Sequence, residues 1–288
     1  MFSFLMVAAA FLPVLIAGMG WSNLASIVAM ATAGALIAFF TAPLAALGAL
    51  LTSFAPAAWI AHLANLSRPA EELGGPPGSM AWYPLSDILV HLCFLMTAAL
   101  IAMGYMMGYG PEMAGEMVDA IIAVMSEANP ELDPGAEAIA GTKALFVNVL
   151  PLVQGALWVL ILFAVFYIAL GIVRISGRAR RPRDEFPAQL RMPPLGLSGL
   201  FCGIAVTFAG SPINLIGWVA TGAFGAGFVL AGYAILHERT RGKPARGLVL
   251  SLSYLLTLAF TLPVLIFLAL GLTATARNMS LTPRNPDS

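Results

Sequence analysis

Residues 1–67 read MFSFLMVAAAFLPVLIAGMGWSNLASIVAMATAGALIAFFTAPLAALGALLTSFAPAAWIAHLANLS, without one aspartate, glutamate, lysine or arginine. A helix rises about 1.5 Å per residue and the hydrocarbon core of a bilayer is about 30 Å thick, so one crossing takes about 20 apolar residues. This stretch is therefore long enough for three crossings. Interfacial Trp21 and helix-breaking Pro43 mark the boundaries between them, which predicts helices over 2–19, 23–41 and 43–64.

The composition of the whole chain also indicates that it is surrounded by lipid. Of its 288 residues 60% are hydrophobic and 10% are charged, and the formal net charge is zero. Soluble domains carry about 25% charged residues, so this chain has too little polar surface to cover itself in water. Without a basic excess, no nucleic-acid partner is expected. We predict an integral membrane protein of a bacterial inner membrane.

The remaining apolar runs predict five more crossings. The glycine- and proline-rich segment 66–83 is a predicted loop, and the 43 uncharged residues 194–236 are long enough for two helices, the first of them short, that meet at Gly210-Ser211-Pro212. The further predicted helices cover 84–108, about 148–175 and 248–272. The predicted fold is all-α: a polytopic transmembrane bundle of about eight spanning helices, forming one domain over 1–272 with a polar C-terminal tail at 273–288.

Basic residues predict the orientation of these helices, because loops rich in Lys and Arg stay in the cytoplasm. Eleven of the 14 Lys and Arg residues fall in alternate loops, foremost the basic loop 176–193, if both termini lie outside. Lys143, Arg277 and Arg284 are then the exceptions. The predicted topology anchors are Arg178, Arg180, Arg181, Arg183, Arg239, Arg241 and Lys243.

The predicted outer loop 109–147 is acidic. Its acidic residues, opposed by Lys143 alone, are Glu112, Glu116, Asp119, Glu127, Glu131, Asp133 and Glu137. Met113, Met117 and Ile121 recur at helical spacing, which predicts an amphipathic helix that ends at Asn129-Pro130. Two interpretations are open: a lid over an outward-facing cavity, or a helix that packs its apolar stripe on the bundle or the interface.

Few ionisable side chains lie inside the predicted spans, and such residues are candidates for function. Asp87 and His91 are one helical turn apart, and His62 is on the same side of the membrane in the predicted topology, which suggests a ligand or proton-relay cluster at the cytoplasmic entrance. The alternative is that Asp87 neighbours the helix start, His91 makes one interhelical bond and His62 lies among headgroups. Asn214, at the turn between the sixth and seventh helices, is expected to face a cavity.

Small residues and cysteines predict packing. Gly222 to Ala226 and Gly227 to Ala231 have small-xxx-small spacing, which indicates close helix contact inside the bundle, or alternatively a subunit interface. Cys93 and Cys202 lie in apolar runs without metal-ligand spacing. The sequence contains no nucleotide-binding loop, zinc-protease motif, nucleophile elbow or dinucleotide fingerprint. We therefore predict no catalytic residue, metal site or cofactor, and a protein that is not an enzyme.

The last third of the chain carries a family resemblance. Its residues 230–237 (LAGYAILH), the basic turn that follows, 253–256 (SYLL) and 268–272 (LALGL) resemble the YybS-like family of bacterial multi-pass membrane proteins, which have a domain of unknown function. That family is distantly similar to the S subunits of energy-coupling-factor transporters. The resemblance implies a ligand cavity that opens outward and separate partner subunits with ATPase activity. The chain departs from S subunits in its predicted eight spans instead of six.

Two functions are expected from these features. The first is small-molecule binding related to transport, of the S-subunit type. Its expected partners are membrane lipid and transporter subunits. The second is a non-catalytic scaffold for envelope assembly or division, whose basic loops engage anionic lipid or envelope proteins. A transport-related protein should contain a polar-lined cavity of about 300 Å³ or more that is reached from one side, whereas a scaffold can have a filled core.

Overall fold

The computed structural model describes residues 9–129 and 135–280, and the chain is mostly helical. The helices are α1 (Leu12–Gly20), α2 (Asn23–Phe40), α3 (Pro43–Ala64), α4 (Leu85–Met107), α5 (Pro111–Ala128), α6 (Ala136–Ile175), α7 (Phe186–Gln189), α8 (Pro194–Thr207), α9 (Ile213–Arg239), α10 (Arg246–Ala259) and α11 (Leu262–Ser280). Strands β1 (Ser67–Pro69) and β2 (Met80–Trp82) pair antiparallel, with Arg68 opposite Ala81. The predicted all-α class is confirmed, with one small hairpin inside the predicted loop 66–83.

Within the described ranges, five helices are long and apolar enough to cross a membrane: α2, α3, α4, α6 and α9. The pair α10 and α11 makes a sixth if it counts as one broken span. Helix α8 has 14 residues and is about 21 Å long, which is less than the hydrocarbon core. Residues 2–8 of the first predicted helix lie outside the described residues. The prediction of an all-α chain with several helices long and apolar enough to span a membrane is therefore confirmed, whereas the predicted count of about eight is not.

The predicted eighth helix over 248–272 is wrong as a single helix. Helix α10 ends at Ala259, α11 begins at Leu262, and their axes differ by 119°. The cause is Pro263, which has no N–H for the Ala259 carbonyl and whose ring would clash with that carbonyl in a continuous helix. At the start of a new helix the missing donor has no partner to lose. Helix α11 also continues to Ser280, into the predicted polar tail.

In α6, unlike at the break between α10 and α11, a proline does not end the helix. Helix α6 is 40 residues long and begins at Ala136, earlier than the predicted start near 148. Pro151 lies inside this helix and cannot donate to the Val147 carbonyl. The Tyr109 hydroxyl donates to that carbonyl instead, at 3.1 Å. A side chain from the preceding connection thus replaces the missing backbone donor, and α6 continues through its proline.

Helix α9 is the centre of the bundle and packs against α4, α6, α8 and α11. Its glycines permit this closeness: a methyl group at Gly222 would lie 1.9 Å from the Leu152 carbonyl oxygen of α6, and one at Gly232 would lie 2.0 Å from the Phe267 carbonyl oxygen of α11. One at Gly227 would lie 3.1 Å from the Cys93 sulfur. The prediction that these small residues serve internal packing is confirmed.

Four connections meet at one end of the bundle: the α1–α2 turn, the hairpin loop 65–84, the loop 176–193 and the turn 240–245. We call it the basic end, because the last two carry most of its Arg and Lys residues. Hydrogen bonds and ion pairs join Arg180 to Trp21, Arg181 to Tyr83 and Arg241 to Glu185. The opposite end, which we call the acidic end, contains α5, the first turns of α6 and the α8–α9 turn. The antiparallel pair α8 and α9 places the loop 176–193 and the turn 240–245 at the same end.

Candidate functional site

Arg181 holds the basic end together. Its side chain is 6% exposed, and its Nε and Nη2 atoms donate to the two carboxylate oxygens of Asp184 at 2.7 and 2.9 Å. Its Nη1 atom donates to the Tyr83 carbonyl at 2.7 Å. Tyr83 precedes α4, so this one side chain ties the loop 176–193 to the hairpin loop. Sequence reasoning assigned Arg181 only a topological role, although the spacing Arg181 to Asp184 was a signal for a local ion pair.

The other predicted topology anchors lie at the surface of the same end. The Arg178 guanidinium carbon is 4.2 Å from the centre of the Trp21 ring, and Arg180 Nη2 donates to the Trp21 carbonyl at 2.9 Å. Arg241 pairs with Glu185 at 3.1 Å, and the hydrogen bond and charge of Glu185 raise the pKa of the Arg241 guanidinium. Three more anchors are exposed: Arg183, Arg239 and Lys243.

The predicted cluster of His62, Asp87 and His91 is gathered at the basic end, but not as a chain of hydrogen bonds. The His91 Nδ1 atom donates to the backbone carbonyl of Asp87 at 2.8 Å, not to its carboxylate. The Trp59 ring lies between the imidazoles, with its centre 5.7 Å from that of His62 and 6.5 Å from that of His91. This part of the described chain provides no hydrogen-bonded path between the two histidines for a proton relay.

His62 instead lines a polar cleft of about 360 Å³ at the basic end. The amide nitrogen of Asn23 donates to His62 Nδ1 at 2.5 Å, and the amide nitrogen of Asn65 donates to the Gly18 carbonyl at 2.8 Å. The lining residues are Ser22, Asn23, Leu24, His62, Asn65, Leu66 and Arg180. We call this set the basic-end cleft.

A larger cavity of about 590 Å³ lies at the acidic end, which we call the acidic-end cavity. The last two turns of α4, the first turns of α5, α6 around Pro151 and the start of α9 form its walls. The residues that line it are Leu100, Ile101, Met103, Gly104, Tyr105, Met107, Tyr109, Met113, Glu116, Met117, Ala120, Leu150, Pro151, Gln154, Pro212, Leu215, Ile216 and Val219. Its walls are mostly apolar, unlike the polar-lined cavity expected from the sequence.

Helix α5 is a wall of this cavity and also packs on α6. The predicted amphipathic helix is confirmed over Pro111–Ala128, and its Ala114 and Val118 are buried. Lys143 of α6 pairs with Asp119 at 2.7 Å. Glu116, one of the acidic residues of the predicted outer loop, borders the cavity. The packing interpretation of this helix is therefore confirmed, whereas the lid stays a prediction. The predicted residues Pro130, Glu131 and Asp133 lie outside the described part of the chain.

Asn214 was expected to face a cavity at the α8–α9 turn. Its amide nitrogen donates to the Asn148 side-chain oxygen at 3.2 Å, which ties α9 to α6, while Pro212 and Leu215 beside it line the acidic-end cavity. The sequence therefore predicted that a cavity lies near Asn214, but it did not predict which residues line that cavity. A signal was present in the methionine pairs Met103–Met107 and Met113–Met117, spaced by one helical turn on both sides of the same connection.

Helix α10 is held against α9 by a group of aromatic and polar side chains that the sequence analysis did not identify as a site. The Tyr254 hydroxyl and His237 Nε2 are 2.9 Å apart, and the rings of Tyr233 and Tyr254 are stacked with centres 4.7 Å apart. The Tyr233 hydroxyl also makes a hydrogen bond with Thr257. The one-turn spacing of Tyr233 and His237 was the available signal.

Comparison with family models, with curated proteins and with solved structures finds no match to this chain. The resemblance to the YybS-like family and the transport role that it implies therefore stay predictions. Among residues 9–129 and 135–280, no group of three or more His, Cys, Asp and Glu side chains is placed to hold a metal ion. The candidate function rests on the geometry of the two cavities.

Proposed function

We propose that this chain is an integral membrane protein that binds a small, mostly apolar molecule in the acidic-end cavity as a step in its transport. The observation that supports this proposal is the cavity of about 590 Å³ between α4, α5, α6 and α9. Binding sites for small molecules typically measure about 300–1,000 Å³ and combine apolar walls with a few polar groups. This cavity has both properties.

The lining indicates the chemical class of the ligand. Met103, Met107, Met113 and Met117 supply flexible, polarizable side chains that adapt to an apolar body of irregular shape. Glu116 is the one charged side chain in the described lining. A carboxylate accepts hydrogen bonds and attracts cations. The proposed ligand therefore has an apolar body and one hydrogen-bond donor or positively charged group directed at Glu116.

Helix α5 is the proposed lid. One of its faces is held on α6 by Val118 and by the ion pair of Asp119 with Lys143, while Met113 and Met117 border the cavity. Its connection to α4 contains Gly108, whose φ of +67° lies in the left-handed region that favours glycine. A rotation of α5 about this connection would open the cavity and would separate Val118 and Asp119 from their contacts with α6. As the resemblance implies, partner subunits would supply the energy for transport.

The test is thermal stabilisation of the purified chain in detergent by vitamins, nucleobases, metal ions and lipids, because a ligand that binds only the folded state raises the apparent Tm. We expect an apolar compound with one basic or donor group to stabilise the protein. Met103→Trp, which fills the cavity, should abolish that shift. Met106→Trp, on the same helix but outside the lining, should retain it. A shift that survives Met103→Trp would place the ligand elsewhere.

The second candidate function is the scaffold for envelope assembly or division. It is favoured by one observation: Arg183, Arg239 and Lys243 are exposed on one surface at the basic end, where the ion pair of Arg241 with Glu185 joins the turn 240–245 to the loop 176–193. Such a surface attracts anionic lipid or an acidic partner. Stabilisation by anionic lipid alone, with every soluble compound inactive and Met103→Trp without effect, would support the scaffold over the transport-related protein.

A further inference from the structure

The basic-end cleft is separate from the proposed ligand cavity and has its own chemistry. It is formed where the α1–α2 turn, the end of α3 and the loop 176–193 meet, and its volume is about 360 Å³. The elements that form it are fixed by other contacts, since Asn65 bonds to Gly18 and Arg180 bonds to Trp21. The cleft is therefore built by tertiary packing, and its side chains are already held in place.

Several polar groups of the cleft can donate hydrogen bonds to a ligand. Arg180 uses Nη2 on the Trp21 carbonyl, which leaves the rest of its guanidinium fork for a ligand. Because Asn23 donates to His62 Nδ1, a neutral His62 carries its proton on Nε2 and is a second donor. The amide of Asn23 has one further N–H. Three different side chains thus offer donors around one space.

Charge in the cleft has one sign. Arg180 is the only charged side chain in the described lining, which contains no carboxylate. Arg178 lies beside it, with its guanidinium on the Trp21 ring. Guanidinium groups match the geometry of phosphate oxygens and form charge-assisted hydrogen bonds with them. A phosphate group is the ligand that satisfies these donors without bringing a second positive charge.

The apolar rim adds a second property. Leu24 and Leu66 line the cleft and are exposed, and Trp21, of the residue type that favours the membrane–water boundary, precedes it. We infer that the basic-end cleft is a binding site for a phosphate group, carried by a membrane lipid headgroup or by a soluble phosphate compound. This site is independent of the ligand proposed for the acidic-end cavity.

Lipid retention by the full chain tests the inference. Native mass spectrometry would compare the protein released from nanodiscs of phosphatidylcholine with and without phosphatidylglycerol, and a thermal-shift titration with glycerol 3-phosphate would test the soluble source. We expect Arg180→Gln to weaken binding about tenfold, as the loss of a charge-assisted hydrogen bond predicts. The control is Arg68→Gln, at the same end of the bundle, exposed and outside the cleft, which should change binding less than about twofold.

A second variant protects the test against misfolding. Asn23→Asp places a carboxylate in the cleft at the start of α2, where negative charge favours the helix. His62 keeps its hydrogen bond with residue 23 by carrying its proton on Nδ1 in place of Nε2, so the Tm without ligand should not fall. It should nevertheless repel phosphate and weaken binding as Arg180→Gln does. Selective binding of phosphatidylglycerol would assign the site to a lipid, and binding of glycerol 3-phosphate to a soluble compound. Equal losses in Arg180→Gln and Arg68→Gln, or unchanged binding in Asn23→Asp, would overturn the inference.

Discussion

The two ends of this bundle are held together in different ways. At the basic end, Arg181 is buried with Asp184 and reaches Tyr83, Arg241 pairs with Glu185, and most side chains that line the cleft are polar. At the acidic end, the described residues contain one ion pair, Asp119 with Lys143, and the space between the helices is larger and lined by methionine.

This difference makes the basic end rigid and the acidic end adaptable. Charged hydrogen bonds have narrow distance and angle requirements, so the basic end has few alternative arrangements. Methionine side chains have several rotatable bonds and tolerate changes in packing. The acidic end is therefore the region that can reshape around a ligand, while the basic end serves as the fixed base. Four predictions test this contrast.

The largest expected effect is the loss of Arg181. Arg181→Gln would leave the Asp184 carboxylate, which is 9% exposed, without its partner. Breaking a buried ion pair in this way costs about 3–5 kcal/mol. The measurement is the free energy of unfolding in mixed micelles. Arg183→Gln on the same loop should change it by less than about 0.5 kcal/mol, because that side chain is exposed. Equal effects would show that the loop has no buried anchor.

The next effect concerns the contact of α6 with α9 beneath the acidic-end cavity. Gly222→Ala would bring a methyl group to 1.9 Å from the Leu152 carbonyl oxygen, so the helices must separate. We expect the free energy of unfolding to fall by about 1–3 kcal/mol. Gly225→Ala, on the same helix with open space around it, should be neutral or stabilising by up to about 1 kcal/mol. A neutral Gly222→Ala would mean that the acidic end absorbs even backbone displacement.

A smaller effect is expected for Tyr109→Phe. The change removes the donor that the Val147 carbonyl receives in place of Pro151, at a cost of about 1 kcal/mol. It should also raise amide hydrogen exchange around Pro151. Tyr105→Phe is the comparison, because Tyr105 is 89% exposed. If both changes have the same small effect, the continuity of α6 through its proline does not depend on Tyr109.

The smallest effect is expected for Asp119→Asn, which removes the ion pair with Lys143. The two side chains are 59% and 35% exposed, so the pair should contribute only about 0.2–1 kcal/mol. Added salt should reduce the difference between wild type and variant, since screening weakens exposed pairs. Glu112→Gln, on the same helix, is the control. A loss comparable to that of Arg181→Gln would remove the proposed contrast between the two ends.

Much of the architecture was predictable from sequence. The uncharged runs located α2, α3, α4 and α9, and the methionine and acid spacing located α5. The candidate sites were less predictable. His62, Asp87 and His91 were correctly placed at one end, but hydropathy contains no information on Trp59 entering between the imidazoles. Side-chain contacts across helices depend on how the helices rotate against each other.

Pro151 and Pro263 show which features follow from the sequence and which depend on the tertiary structure. The sequence by itself determined that the chain forms long apolar helices and where most of them lie. A segment able to span lipid must satisfy its backbone polar groups within its own helix, and this requirement is local. The sequence could not distinguish Pro151, inside a continuous helix, from Pro263, at a break. Tertiary structure decided this difference, since a donor from another segment reaches the carbonyl freed by Pro151. The burial of Arg181, the acidic-end cavity and the basic-end cleft were decided in the same way, by which segments meet in space.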